Sequence, residues 1–189
     1  MSTVPQTREA LSVRDRLLNA AEAVVARDGV SNLTLDAVAR EAGVSKGGLL
    51  YHFPSKSALV IAIVEGLAVH CDSKHAAALD QEPPAPGAFT RAYLTARTQP
   101  REQKRAAINT ALLAAAGTNP QYLDPFRKRL VEWQSRLESD GIDPATASIV
   151  RLAIDGLCLG EVLGMPVPTG ELRQRVLDRL IEMTRGEEG

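Results

Sequence analysis

The stretch TLDAVAREAGVSKGGLLYHFPSK, residues 34–56, holds two short helical patterns joined by Ala42-Gly43-Val44-Ser45. Thr34 is a side-chain cap for the first, in which Leu35, Val38, Ala39 and Ala42 fall on one face. Gly43 stands where the chain must reverse, with positive φ expected. Ser45 caps the second, and Pro54 ends it by disfavouring helical backbone at Phe53. A turn this tight sets two helices at a steep angle, as in a helix-turn-helix.

The second of these helices is expensive to form. Gly47 and Gly48 lie in its first turns, and each costs about 1 kcal/mol relative to alanine. Missing side chains would let that helix N-terminus approach another surface. Lys46 and Lys56 sit beside helix N-termini, where a cation is unfavourable against the dipole. They make sense if backbone N–H groups and lysine together hold an anion, for which phosphate is the obvious candidate. Tyr51 and His52 could contact phosphate or sugar in the same way.

Working outward, almost everything reads as helix. One is expected from about Ser12 to Asp28, with Leu17, Leu18 and Ala21 on its apolar side and Gly29 at its end. A long one follows Ser55 to about Leu79. Pro83, Pro84, Pro86 and Gly87 then break the pattern. Further helices are expected at about Ala88–Arg97, Arg101–Ala116, Pro120–Ser139, Pro144–Leu163 and Thr169–Arg185. Strand alternation and repeats are absent. The fold class is therefore all-α, with a three-helix helix-turn-helix unit at residues 1–58 and a helical bundle at 59–189.

The order of Leu17, Leu18, Ala21, Gly29, Thr34-Leu35, Val38-Ala39, Ala42-Gly43-Val44-Ser45, Gly47, Leu49, Phe53, Lys56 and Leu59 resembles the DNA-binding domain of the TetR (tetracycline-repressor) family over about fifty residues. There are two departures. Leu50 stands where the family usually has tyrosine, and Gly48 where it often has a hydroxyl side chain. Lys46 and Tyr51 are thus the main candidates for reading DNA, with Thr34, Ser45, Gly47, Gly48, His52 and Lys56 beside them. The resemblance implies a homodimer on a palindromic operator, about nine helices, and a C-terminal domain that binds a small-molecule effector. The expected function is a repressor released by that effector. A regulator controlled by a partner protein, or an activator, is the alternative; a helical enzyme with a degenerate helix-turn-helix is a third.

The bulk numbers fit. Lys and Arg total 22 against 23 Asp and Glu in 189 residues, so nucleic-acid binding must rest on local placement of charge. Residues 1–56 carry seven basic and six acidic groups, a slight excess. Two distant cysteines, a polar N-terminus and no apolar run of membrane length suggest a soluble cytoplasmic protein with reduced thiols.

Weaker features take ordinary readings. His70, Cys71 and His75 have metal-ligand chemistry but no second cluster, so neither a metal nor a cofactor is expected. Arg151 and Asp155, four apart, read as an ion pair, and Arg127-Lys128-Arg129 as a solvated face. With no nucleophile–base pair present, enzymatic activity is not expected. Tyr93, Asn109, Leu112, Phe126, Trp133 and Cys158 are candidate lining for an effector pocket. Gly156, Gly160 and Gly164 recur every four residues and are expected to line one helix face at the dimer interface, joined by Leu172, Val176 and Leu180.

Overall fold

A computed structural model describes residues 11–99 and 103–185. Among these are nine α-helices and no strand: α1 Val13–Asp28, α2 Leu35–Ala42, α3 Lys46–His52, α4 Lys56–Leu79, α5 Ala88–Thr98, α6 Gln103–Ala116, α7 Asp124–Glu138, α8 Pro144–Val162 and α9 Gly170–Met183. Arg101, expected to open α6, lies outside the described residues. The helix expected from Pro120 is two elements, a 3₁₀ turn over Pro120–Leu123 and then α7. Pro125 stands in the first turn of α7, where its missing N–H costs nothing.

Four of the first helices start on a hydroxyl. Ser12, Thr34, Ser45 and Ser55 each accept a backbone N–H three residues on, at 3.1 Å. That satisfies one of the orphan donors at each N-terminus. The side chains buried between α1, α2, α3 and the start of α4 form one core around Leu17, Val24, Val38, Leu49, Leu59 and Ile63. This core does not stop at the helix-turn-helix: Ile108 and Leu112 of α6 and Tyr122 of the 3₁₀ turn are buried in it.

A second core lies between α4, α5, α7 and α8. His75, Phe89, Tyr93, Trp133 and Phe126 pack ring against ring there, with centroids 4.6–6.2 Å apart. On α7, Trp133 and Leu137 face inward and are fully buried. The entry to α5 is held from a distance: Asp140 accepts the N–H groups of Phe89 at 3.0 Å and Thr90 at 2.7 Å. Gly87 precedes this entry at φ 78°. A Cβ there would stand 2.6 Å from the carbonyl oxygen of Thr184, so glycine is what lets the end of α9 close on the start of α5.

Candidate functional site

Gly43, at φ 65° and ψ 36°, makes the turn between α2 and α3, and its N–H reaches Arg40 O at 3.2 Å while Val44 N–H reaches Ala39 O at 3.0 Å. This double closure fixes α3 against α2. Leu49 then faces the core and leaves Lys46, Gly47, Leu50 and Tyr51 outside. Tyr51 is 85% exposed, the most open large hydrophobic side chain among the described residues, with His52 edge-on to it at 5.1 Å. From Ser45 to Lys56 the chain has no carboxylate.

The expected contacts divide on inspection. The oxygens of Thr34 and Ser45 are engaged as helix caps. Lys46 Nζ lies 3.0 Å from Asp36 across the motif, an exposed ion pair worth at most about 1 kcal/mol and easily exchanged for phosphate. Lys56 differs: its Nζ donates to the carbonyl of Ser31 at 2.9 Å, tying α4 to the α1–α2 loop. That bond accounts for its place in the pattern without an anion. The two glycines also differ. Nothing lies within 4 Å of a Cβ at Gly47, which leaves the helix open to close approach. A Cβ at Gly48 would meet Val44 Cγ1 at 2.9 Å, so its bareness serves the fold of the motif.

Further along, a cavity of about 290 Å³ opens between α4, the end of α5, α6, the start of α7 and α8. Of the six residues named from the sequence, Asn109, Leu112, Phe126 and Cys158 line this cavity. Tyr93 and Trp133 do not. Both are buried in the second core, where Trp133 Nε1–H donates to Asp72 at 2.7 Å and Tyr93 O–H to Asp155 at 2.8 Å. Large rings with satisfied polar ends complete a core more readily than they line a void.

Most of the polar lining, Asn109 apart, is absent from the pocket residues named from the sequence. It includes His70, Cys71, Lys74, Arg97, Arg105 and Asp155. Cys71 and Lys74 follow one another at helical spacing on α4, a signal visible only once it is known which face of that helix the cavity meets. Asp155 holds three neighbours: Tyr93, Arg97 at 2.6 Å and Arg151 at 3.2 Å. The Arg151 pair matches the ordinary reading. Burial works against the Arg97 charge, but Tyr93 and Asp155 outweigh it and raise its pKa. Burial likewise raises the Tyr93 hydroxyl. His75, one turn along α4 from Cys71, is 2% exposed with neither ring nitrogen hydrogen-bonded, and burial brings its pKa down to about 4.

A third surface lies on the last two helices. Ile149, Leu152, Ala153 and Gly156, at steps of three and four on α8, are exposed, as is Leu172 on α9. Val176 is half-buried. The glycine stripe, however, is not one face. Gly164 lies past the end of α8 in a left-handed turn at φ 65°. Gly160 is buried under the α8–α9 loop, and a Cβ there would stand 2.5 Å from Val167 Cγ1. Leu180 packs inward against Leu94 and Val150. Of the six expected interface residues, Gly156, Gly164 and Leu172 are exposed, Gly164 in the turn beyond the helix.

A capped helix-turn-helix ahead of a helical bundle is the architecture of a one-chain regulator with a DNA-binding head. Sequence comparison agrees. Residues 17–63 match the profile described as "Bacterial regulatory proteins, tetR family", and residues 87–185 that described as "Tetracyclin repressor-like, C-terminal domain". The chain belongs to the TetR family.

The HTH-type transcriptional regulator SrpR of Pseudomonas putida is 41% identical over 56 residues, covering 30% of this chain and 26% of SrpR. The chain therefore aligns with about a quarter of that relative's length. A Streptomyces coelicolor A3(2) protein assigned as a transcriptional regulator shares the fold with a TM-score of 0.74 at 22% identity, over 92% of this chain and 99% of its own. The multidrug binding protein EbrR, solved with malachite green, gives 0.61 at 25% identity, over 90% and 97%. Among the described residues no single helix is long and apolar enough to cross a membrane.

Proposed function

We propose that this chain is a sequence-specific DNA-binding transcriptional regulator that works as a homodimer and leaves its operator when a small molecule fills the inner cavity. The observation that carries this reading is shared packing. Val64 and Leu112 line the cavity and are also buried in the core that seats the helix-turn-helix. A ligand pressing on these two side chains presses on the support of α3. Interiors are close-packed, so such a displacement is transmitted and not absorbed. EbrR, similar in fold, is a multidrug binding protein seen with malachite green and with ethidium.

In this reading residues 1–58 are the DNA-binding head and 59–189 the effector-binding and dimerisation part. Lys46, Gly47 and Tyr51 face the DNA, with Gly48 and Lys56 holding the head together. The face made by Ile149, Leu152, Gly156 and Leu172 meets its own copy about a two-fold axis. Two α3 helices then enter successive major grooves about 34–36 Å apart on a palindromic operator, as a DNA-bound cytoplasmic repressor requires. For the effector to release DNA it must bind one arrangement of the dimer better than the other.

The experiment is selection of genomic fragments by the purified protein, followed by anisotropy titration of the best fragment. A palindromic site with half-sites one helical turn apart is expected. If the folded protein binds selected and scrambled DNA equally at 0.15 M salt, the reading is wrong.

A further inference from the structure

The cavity wall has an apolar side and a polar side on which positive charge predominates among the described residues. Leu113, Leu123, Phe126 and Val162 supply its greasy side. Among the described residues its ionisable groups include three basic residues, Lys74, Arg97 and Arg105, and one carboxylate, Asp155. Arg97 and Asp155 cancel one another at 2.6 Å. What is left is an excess of positive charge from α4 and α6.

Neither remaining cation is well satisfied. Lys74 has no ion pair among the described residues. Arg105 reaches only Glu22 of α1, at 3.9 Å, beyond hydrogen-bond length, and its buried Nη1 has no acceptor. A buried guanidinium N–H without an oxygen is a costly arrangement, and a ligand oxygen at the cavity wall would relieve it. With about 290 Å³ the space lies at the small end of ordinary ligand sites, roughly 300–1,000 Å³.

We infer that the effector is a small organic anion: a compact apolar body in the void, with a carboxylate held by Arg105 and Lys74. This rests on the reading of the cavity as the effector site. It also gives Arg105 a choice of partner. A carboxylate in the cavity competes with Glu22 for the guanidinium, and Glu22 sits on α1 of the DNA-binding head. Anion binding and the α1–α6 contact are therefore opposed.

The test is calorimetric titration of the full chain with a matched series: octanoate, 1-octanol, octylammonium and 4-propylbenzoate. Octanoate or 4-propylbenzoate should bind at least tenfold more tightly than octanol and octylammonium; which of the two wins distinguishes a chain from a ring. Arg105→Gln and Lys74→Gln should each weaken the anion about tenfold and leave octanol unchanged. Leu113→Trp, which fills the void from a half-buried position, should abolish binding of the whole series. Equal or tighter binding of octanol or octylammonium overturns the anion inference while the effector cavity stands. Anion binding that survives Leu113→Trp places the ligand elsewhere and overturns it too. If no member of the series binds the wild type, the anion inference falls; if Leu113→Trp also leaves DNA binding and thermal stability untouched, the cavity reading falls with it.

Discussion

Two regions of this molecule show apolar surface to water, and they do so in different company. On α3, Leu50 and Tyr51 are exposed beside Lys46 and the bare Gly47, in a run without a carboxylate. On α8, Ile149 and Leu152 are exposed beside Ala153 and Gly156, with no lysine or arginine in the row. An aromatic ring with a hydroxyl end set among cations suits a polyanion, which offers both a charged backbone and sugar to lie against. A row of aliphatic and small side chains suits a second row like itself, because close approach supplies its stabilisation. Apolar exposure thus gains its meaning from the charges next to it.

The strongest way to break this contrast is to charge the aliphatic face. Leu152, 59% exposed, would tolerate glutamate in an isolated chain but not against a symmetry mate in the proposed dimer. Leu152→Glu should shift the monomer–dimer balance by roughly a hundredfold or more and abolish tight operator binding, read by light scattering and anisotropy. A normal dimer would remove α8 from the interface. Gly160→Leu cannot serve, because the α8–α9 loop already covers Gly160.

Next comes the frame between the faces. His75 has a pKa of about 4 when buried against an ordinary value near 6.5. The unfolded chain binds the extra proton, so the contribution of His75 to stability is present above about pH 6.5 and is lost as pH falls towards 4. Its full size is on the order of 3 kcal/mol. Urea melts at pH 7 and pH 4.5 should differ by less in His75→Leu than in wild type. An identical difference would mean that the ring gains its proton without loss.

Smaller effects sharpen the polyanion side. Tyr51→Ala should weaken operator binding roughly tenfold with folding intact. Lys46→Ala should lower the slope of log affinity against log salt by about one if it trades Asp36 for phosphate. An unchanged slope would leave Lys46 bound to Asp36 in the complex.

The smallest test separates the two glycines. Gly47→Ala should raise thermal stability by up to about 1 kcal/mol and weaken DNA binding. Gly48→Ala should fail to give that gain, because its Cβ presses on Val44. Equal gains from both would put the clash argument aside.

What was legible in the sequence follows from range. Thr34, Gly43, Ser45 and Pro54 act on backbone within three or four residues of themselves, so the caps, the turn and the end of α3 could be read from order alone. The helices of the bundle were legible for the same reason, within a residue or two at most ends. The sites of the second half depend on which faces meet. Tyr93 and Trp133 have the chemistry of pocket residues, but Asp155 and Asp72, 62 and 61 residues away, draw them into the core. The spacing of Gly156, Gly160 and Gly164 was real, yet α8 ends before the third and a loop folds over the second. No local pattern announces where a helix will stop being a helix or which face a loop will cover.

The double duty of Val64 and Leu112 sets terms for how this protein can change over evolutionary time. Under the proposed function, a mutation at either position would alter the chamber and the seat of the DNA-reading head together, so descent towards a new effector would be barred there. Leu113, Leu123, Leu159 and Val162 border the chamber without belonging to the head's core. On that reading, divergence in ligand preference would be channelled to those four, and a lineage could exchange its signal while keeping its operator.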